Sequence, residues 1–344
     1  MSQADMQLVR DSVPGGFNLA VGEPFFLQAV YSGFYSRYFE GKLTYPLLTG
    51  DPELVEMLKA RTAGQHVVVT NGAKQALLAA CYALQMQRER TEGELVSITT
   101  VHHEAPYWPT YPTIADFSGL GFTARPTDDN TPRRINIITS PNNPDGRMGE
   151  NRTTRQWDIW DAAYAHRIYG WDHLVPWHKV SVWSAAKLFG PSGYRIGWMA
   201  TPDPELAQYA AEYVEKTTSG VATPSQTFLK QLMRNLDAVG PAEQDRMTAV
   251  ARDLLLKTNE VFMELSKHFL EVRGFPDTRQ GMFAWVRARD PDRFKELLGR
   301  AKVKVVGGAF CGGQDDWFRV SFGVMPNVMH DAVRAIQEVE NGSS

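Results

Sequence analysis

The sequence predicts an α/β fold, with a large domain built on a mostly parallel sheet flanked by helices and a smaller α+β domain attached to it. Short apolar runs that end in turn residues alternate with helical patterns through the first two thirds of the chain. The chain has 344 residues, which is long for a single core. From about residue 235 the pattern changes to long amphipathic helices followed by short strands.

Each candidate strand of the large domain is followed by an unusual cluster of residues. The candidate strands lie in HVVVT (66–70), LVSITT (95–100), INIIT (135–139), RQWDIWDAAY (155–164) and KVSVWSAAK (179–187). The clusters are TNGAK, HHEAPYWPTYP, SPNNPDG, DAAY and SAAK. In an open α/β sheet, ligands bind at the carboxyl ends of the strands. The clusters therefore predict one site at that edge of the sheet.

The chain divides into three predicted segments. Residues 1–44 lack a sheet pattern, and we expect them to pack on the small domain. Residues 45–234 form the large domain. Residues 235–344 form the small α+β domain, with strands expected in GMFAWVRA, VKVV and WFRVSFG.

Composition narrows the classes of function. The net charge is −3, which argues against a protein built to bind a nucleic acid backbone. Two cysteines are too few for a disulfide scaffold, and we find neither a signal peptide nor a membrane-spanning run, so we expect a soluble cytoplasmic protein. His102, His103 and Glu104 have no second cluster at ligand spacing, so we expect no metal site and assign the histidines to the lining of the pocket.

The string NGAKQA predicts a phosphate-binding turn. A glycine after a strand lets the backbone turn tightly, and the following helix offers unpaired N–H groups at its positive end. Taken alone, the string fits an ordinary βα turn equally well. In SPNNPDG, two prolines and two asparagines fix a turn from which one Asn donor can point into the cleft, although a merely rigid loop has the same composition.

Asp161 ends a predicted strand, with Tyr164 three residues later. A buried aspartate needs a cationic partner, and a protonated pyridine nitrogen would serve as one. The alternative is an aspartate that caps the next helix.

Lys187 lies among small residues, with Arg195 eight positions later. A lysine amine in a pocket can form a Schiff base with an aldehyde. Ser184 and Arg195 are positioned to bind a phosphate on the same molecule, the arginine by paired hydrogen bonds.

In this order, these motifs resemble the pyridoxal 5'-phosphate site of fold type I aminotransferases (class I/II). The resemblance covers nearly the whole chain and implies a seven-stranded sheet in the large domain. SPNNPDG, APYWPTY and the glycine-rich run after Lys187 are most similar to the alliinase and tryptophan aminotransferase-related branch. Only eighteen residues separate Asn143 from Asp161, which departs from the longer interval of most aminotransferases and leaves the substrate open.

The resemblance implies a role for each site residue. Lys187 would be the Schiff-base lysine and the proton shuttle at the substrate α-carbon. Asp161 would pair with the pyridine nitrogen, and Tyr164 would bind the ring hydroxyl. The other implied cofactor contacts are Gly72, Ala73, Lys74, Trp108, Asn143, Ser184, Arg195 and Tyr45, the last one reaching across a dimer interface. The implied substrate contacts are Arg319, Gly22 and Asn143.

The resemblance implies a homodimeric aminotransferase that passes the amino group of an α-amino acid to a keto acid in a ping-pong cycle. A carbon–sulfur β-lyase or a decarboxylase would use the same residues, and a decarboxylase substrate attached to a nucleobase stays open. Trp108 has a core aromatic as its alternative, and Arg319 has a structural salt bridge.

Overall fold

The computed structural model describes most of the chain, and every structural statement below concerns those residues. They are residues 15–19, 24–31, 46–62, 66–92, 97–124, 133–148, 157–171, 178–274 and 281–342.

The first part of the chain builds a seven-stranded sheet. In chain order, the elements up to the end of this sheet are β1 (Phe17–Asn18), α1 (Phe25–Tyr31), α2 (Pro52–Arg61), β2 (His66–Thr70), α3 (Gly72–Glu92), β3 (Thr100–His102), α4 (Tyr111–Phe117), β4 (Gly121–Thr123), β5 (Arg134–Thr139), β6 (Trp157–Asp161), β7 (His178–Ser184), α5 (Ala185–Phe189), β8 (Gly197–Thr201) and α6 (Pro204–Thr218). The strand order is β2-β8-β7-β6-β5-β3-β4. This confirms the predicted α/β fold with a mostly parallel seven-stranded sheet.

Helices α3 and α6 pack together on one face of the sheet. The rings of Tyr82 and Tyr213, one from each helix, lie 5.6 Å apart between centroids. Strands β5 and β7 are buried along almost their whole length because both of their faces are covered, which is typical of parallel strands. On the other face of the sheet, Trp160, Trp183 and Trp198 belong to a larger hydrophobic core cluster.

Strand β8 runs antiparallel to both of its neighbours, β2 and β7. It begins at Gly197, opposite Ser184 of β7 and Thr70 of β2. The start of β8 therefore lies at the edge of the sheet where β2 and β7 end.

The second part of the chain builds a four-stranded antiparallel sheet in the order β12-β13-β10-β9. Its elements are α7 (Thr223–Phe269), β9 (Leu270–Gly274), β10 (Phe283–Ala288), α8 (Pro291–Arg300), β11 (Val303–Lys304), β12 (Val306–Gly307), β13 (Trp317–Ser321) and α9 (Pro326–Glu340). Helix α7 is broken at Gly240, which has φ 77°, just before Pro241. The boundaries of the three predicted segments stay a prediction.

Two predicted strands differ from the observed ones. The strand expected over residues 95–100 begins only at Thr100, where both neighbours begin to pair with it, at Gly121 and at Arg134. The run VKVV was predicted as one strand but forms two short ones, because β11 pairs with β1 and β12 pairs with β13. In the part of the chain that is described, no helix has the length and apolar character needed to cross a membrane.

Candidate active site

The predicted clusters meet at the carboxyl edge of the large sheet. Thr139 of β5 lies beside Asp161 of β6, and Asp161 lies beside Val182 of β7. Ser184, the last residue of β7, is buried and directly precedes α5, which carries Lys187. The strand register thus places the aspartate and the lysine segment on adjacent strand ends.

Asp161 is buried and makes two hydrogen bonds. The Tyr111 hydroxyl lies 2.7 Å from its Oδ2, and the backbone N–H of Ala163 donates to its Oδ1 over 3.1 Å. Burial raises the pKa of Asp161, and the Tyr111 hydrogen bond only partly offsets that effect. No described cationic side chain forms an ion pair with this carboxylate, which therefore suits a cation brought by a ligand.

The turn between β2 and α3, where the sequence predicts a phosphate cradle, lies against Arg195. Gly72 has φ 77°, and a Cβ there would come within 2.8 Å of Nη2 of Arg195. Glycine therefore lets the guanidinium lie against the first turn of α3. Arg195 itself is exposed, has φ 49°, and donates from Nη1 to the Ser192 carbonyl over 3.0 Å. A helix N-terminus with an arginine beside it is a site for a phosphate dianion.

Gly197 lets β8 approach this turn closely. A Cβ at Gly197 would lie 2.8 Å from the carbonyl carbon of Gly72 and 2.9 Å from the nitrogen of Ala73. The same Cβ would lie 2.6 Å from the Trp183 carbonyl oxygen. Any other residue at this position would displace the turn from the end of β7.

Trp108 lies next to the buried end of the site. Its ring packs edge-on against Tyr111, with centroids 5.5 Å apart, and Nζ of Lys74 lies 5.6 Å from the Trp108 centroid. Tyr111 thus connects Trp108 to Asp161. This position, between a phosphate turn and a ring-nitrogen partner, agrees with the predicted stacking role, and the role itself stays a prediction.

A second glycine-rich run, GGAFCGG (307–313), contacts Tyr107, the residue before Trp108. Tyr107 donates its backbone N–H to the Cys311 carbonyl over 2.9 Å. Gly312 has φ 73°, and a Cβ on it would lie 2.3 Å from Cε1 of Tyr107. The run therefore packs directly on the segment that carries the aromatic residue.

The second half of the site joins the two sheets. Arg319 of β13 is buried and donates from Nη1 to Oδ1 of Asn143 over 3.0 Å. Its guanidinium carbon lies 4.5 Å from the centroid of the Phe283 ring. Burial lowers the pKa of Arg319, although arginine keeps its proton in proteins.

Three further contacts set the orientation of these groups. Asn142 donates to the Pro106 carbonyl over 3.0 Å and to Asp145 over 2.8 Å, which fixes the turn that carries Asn143. The ring of Tyr164 packs edge-on against Phe283, at 5.7 Å between centroids. Burial raises the pKa of Tyr164, so its hydroxyl keeps its hydrogen at neutral pH.

Lys187 is half-buried on α5, and its backbone is anchored. Tyr169 donates its hydroxyl to the Lys187 carbonyl over 2.6 Å. The rings of Tyr169 and Tyr164 lie 5.3 Å apart between centroids, which connects the lysine segment to the Arg319 cluster. Tyr45 and Gly22 lie outside the described residues.

Sequence reasoning missed three residues of this site. Tyr111 and Thr139 lie in motifs that were singled out, but their contact depends on how the start of α4 packs against the end of β5, which the motifs do not encode. The signal for Tyr111 was its place three residues after Trp108, where a helix begins. Gly197 follows Arg195 in a glycine-rich run, and only the neighbouring turn shows why glycine is needed there.

These residues fit a phosphorylated pyridine aldehyde. The glycine cradle and Arg195 suit the phosphate, and the buried Asp161 suits a protonated ring nitrogen. Trp108 offers an aromatic face, and Lys187 offers an amine. The phosphate, the ring nitrogen, the ring face and the aldehyde of pyridoxal phosphate therefore each have a suitable partner among the described residues.

Comparison with known proteins agrees with this fit. A family model described as Allinase matches residues 54–339. Tryptophan aminotransferase-related protein 2 of Arabidopsis thaliana is 35% identical over 187 residues, covering 51% of this chain and 40% of that protein. Alliin lyase of Allium cepa var. aggregatum is 24% identical over 208 residues, covering 57% of this chain and 45% of that protein. The chain thus spans less than half the length of these two relatives.

The fold also matches that of a solved aminotransferase. A double mutant of Thermus thermophilus aspartate aminotransferase superimposes with a TM-score of 0.73 at 21% identity, covering 93% of this chain and 91% of that chain. The family model spans most of the chain, and the fold and the motif order agree with it. The chain belongs to the allinase family, in the alliinase and tryptophan aminotransferase-related branch of the fold type I pyridoxal-phosphate-dependent enzymes.

Proposed function

We propose that this chain binds pyridoxal phosphate and is an aminotransferase that acts on an α-amino acid and passes its amino group to a keto acid. The observation that carries this proposal is the buried Arg319, hydrogen-bonded to Asn143 at the carboxyl edge of the large sheet. A buried guanidinium at this edge of the sheet can bind the α-carboxylate of an amino or keto acid through paired hydrogen bonds. The same guanidinium serves both half-reactions because the amino acid and the keto acid both carry that carboxylate.

The other residues hold the cofactor. The first turn of α3, Lys74, Ser184 and Arg195 bind its phosphate, and Trp108 packs on its ring. Asn143 keeps both hydrogens of its amide nitrogen for the ring hydroxyl, because its oxygen already accepts from Arg319. Tyr164 donates to the same hydroxyl. When bound, the cofactor supplies an aldehyde for an amine and an electron-accepting ring for the substrate α-carbon.

Lys187 has two tasks in this proposal. Its amine holds the cofactor aldehyde before substrate arrives, and once released it moves the proton at the substrate α-carbon. The Tyr169 hydrogen bond to the Lys187 carbonyl fixes the backbone from which the amine reaches. Asp161 holds the ring nitrogen in its protonated form, since a carboxylate there favours the cation.

The near-ultraviolet and visible spectrum of the purified protein tests the proposal. We expect a yellow absorbance band from lysine-bound cofactor, lost in Lys187→Ala. A matched control is Lys257→Ala, since Lys257 lies exposed on α7 in an ion pair with Asp253. One amino acid should bleach the band and a keto acid should restore it. A protein that takes up no pyridoxal phosphate would contradict the proposal.

The similarity to alliin lyase favours a second candidate, a carbon–sulfur β-lyase that uses the same residues. A lyase releases pyruvate and ammonia from a β-substituted amino acid and requires no keto acid. A decarboxylase would instead release carbon dioxide. Analysis of products with and without added keto acid therefore separates the three reactions.

We also propose a homodimer in which Tyr45 reaches the partner's phosphate site. Leu47 and Leu48, which follow closely on Tyr45 in sequence, are 61% and 38% exposed, and exposed leucines of this kind suit an interface. Tyr194, next to Arg195, is also exposed and stacks on Phe228 of α7. Sedimentation analysis tests this, and a fully active monomer would rule out the role given to Tyr45.

A cytoplasmic location is the last part of the proposal. Cys81 and Cys311 are both free and buried. Burial raises their pKa values, to about 12 for Cys81 and about 11 for Cys311, so both stay unreactive thiols. Unpaired cysteines suit a reducing compartment, and cell fractionation tests this directly.

A further inference from the structure

Asp161 is the first member of a hydrogen-bond network of four buried polar groups. The Tyr111 hydroxyl lies 2.7 Å from Oδ2 of Asp161 and also hydrogen-bonds to Oγ1 of Thr139. Thr139 in turn lies 3.0 Å from Nε2 of His103. The His103 ring stacks on Tyr111, with centroids 4.8 Å apart. All four side chains are at most 5% exposed, so water does not separate them.

At the far end of this network, a contact with the backbone fixes the tautomer of His103. Its Nδ1 lies 2.7 Å from the carbonyl oxygen of Glu104. A carbonyl oxygen only accepts hydrogen bonds, so Nδ1 carries a hydrogen. In a neutral imidazole, Nε2 is then an acceptor and needs a hydrogen from Thr139.

The network needs one hydrogen more than its two hydroxyl groups provide. Three hydrogen bonds connect the four groups, but Tyr111 and Thr139 supply only two hydrogens. With an ionised Asp161 and a neutral His103, one contact would therefore bring two lone pairs together. A third hydrogen, on either Asp161 or His103, satisfies all three contacts.

Burial decides which end holds the extra proton. It raises the pKa of Asp161, and it lowers the pKa of His103 to about 3. Arg147 and His102, the charged and titratable groups beside His103, also disfavour a charged imidazole. In the cofactor-free protein the proton therefore belongs on Asp161.

We propose that His103, through Thr139 and Tyr111, holds a proton on Asp161, and that Asp161 transfers this proton to the ring nitrogen when pyridoxal phosphate binds. This inference rests on the proposed function only in its last step. In the transfer, the O–H bond of Asp161 breaks, an N–H bond forms on the ring, and no electrons are exchanged. His103 is a positioning residue, because it touches neither cofactor nor substrate and acts through the two hydroxyls.

The transfer has a consequence for His103, at the other end of the network. Once Asp161 is ionised, Tyr111 donates to it and Thr139 donates to Tyr111. The lone pair of His103 Nε2 then faces the Thr139 oxygen, and a proton on Nε2 restores the missing hydrogen bond. Cofactor binding therefore raises the pKa of His103, since each ligand of a coupled pair alters the affinity of the site for the other.

Infrared spectroscopy of the full chain without cofactor tests the stored proton. We expect a protonated carboxyl band at neutral pH that is missing in Asp161→Asn. Thr139→Val keeps the side-chain shape but removes the hydroxyl, so Tyr111 turns to Asp161 and the band falls. Thr139→Ser keeps the hydroxyl and the band. A wild-type spectrum without the band, or an equal band in Thr139→Val, overturns the inference.

Nitrogen NMR of labelled histidine tests the other end without any substitution. We expect His103 to be neutral with its hydrogen on Nδ1, and its pKa to rise when pyridoxal phosphate is added. A hydrogen on Nε2 alone, or a pKa unmoved by bound cofactor, overturns the inference.

The two proposals fail separately. A chain with the carboxyl band that takes up no pyridoxal phosphate overturns the proposed function and the transfer to the ring nitrogen. A chain that takes up pyridoxal phosphate but lacks the band overturns only the stored proton.

Discussion

Arg319 and Asn143 join the two sheets of the protein through one buried hydrogen bond of 3.0 Å, although they lie 176 residues apart in sequence. The bond fixes one nitrogen of the guanidinium against the turn that follows β5. The face of the guanidinium lies over Phe283. The position of this cation is therefore set by both sheets together.

Replacing this arginine should weaken substrate binding more than cofactor binding. Arg319→Lys keeps the charge but loses the paired donors, so we expect the Michaelis constant for the amino acid to rise by about 10- to 100-fold, equivalent to roughly 1.5–3 kcal/mol for a hydrogen bond to a charged group. Steady-state kinetics and titration with pyridoxal phosphate measure the two effects. An unchanged Michaelis constant would remove Arg319 from the substrate site.

A methyl group on Gly197 should displace the phosphate turn. Gly197→Ala places a Cβ 2.6 Å from the Trp183 carbonyl oxygen and within 3 Å of the turn at Gly72 and Ala73. We expect a loss of about 1–3 kcal/mol in the free energy of unfolding, as for overpacked sites, and weaker binding of pyridoxal phosphate. Gly193→Ala is the control, because nothing lies within 4 Å of its added Cβ. Equal affinities of both variants would contradict this account of the cradle.

The glycine-rich run against Tyr107 makes a similar prediction farther from the turn. Gly312 has φ 73°, and an added Cβ would lie 2.3 Å from the Tyr107 ring. Gly312→Ala should therefore lower the melting temperature and change the fluorescence of the neighbouring Trp108. Gly299→Ala, in helix α8 with open space around it, should instead stabilise by about 0.5–1 kcal/mol. If both substitutions stabilise, the packing on Tyr107 is not a constraint.

His103 should make the cofactor-free protein less stable in acid. Burial lowers its pKa to about 3, whereas the unfolded chain binds a proton near the ordinary value of 6.5. Between these two pH values the unfolded state holds more protons, so the free energy of unfolding falls as the pH is lowered, by about 1.4 kcal/mol per pH unit. Denaturant unfolding at several pH values should show a smaller fall for His103→Gln. Equal slopes would mean that His103 is protonated in the folded protein.

The sequence was sufficient for the parts of the site that depend on local chemistry. The turn at Gly72, the strand ends at Asp161 and Ser184 and the α/β fold all follow from short-range patterns, and the structure places them as expected. The group of Tyr111, Thr139 and Asp161 was not predictable, because it depends on how β5 and β6 align and on where α4 begins. The antiparallel β8 was missed for the same reason, since GWMAT alone does not indicate its direction.

The separation of 176 positions between Asn143 and Arg319 also has a meaning for the order of synthesis. A ribosome translates every residue proposed to touch the cofactor, from Tyr45 to Arg195, before it reaches β13. The guanidinium that we propose for substrate binding is made only after all of them. A nascent or prematurely terminated chain would thus carry all of the proposed cofactor contacts without the means to select an amino acid.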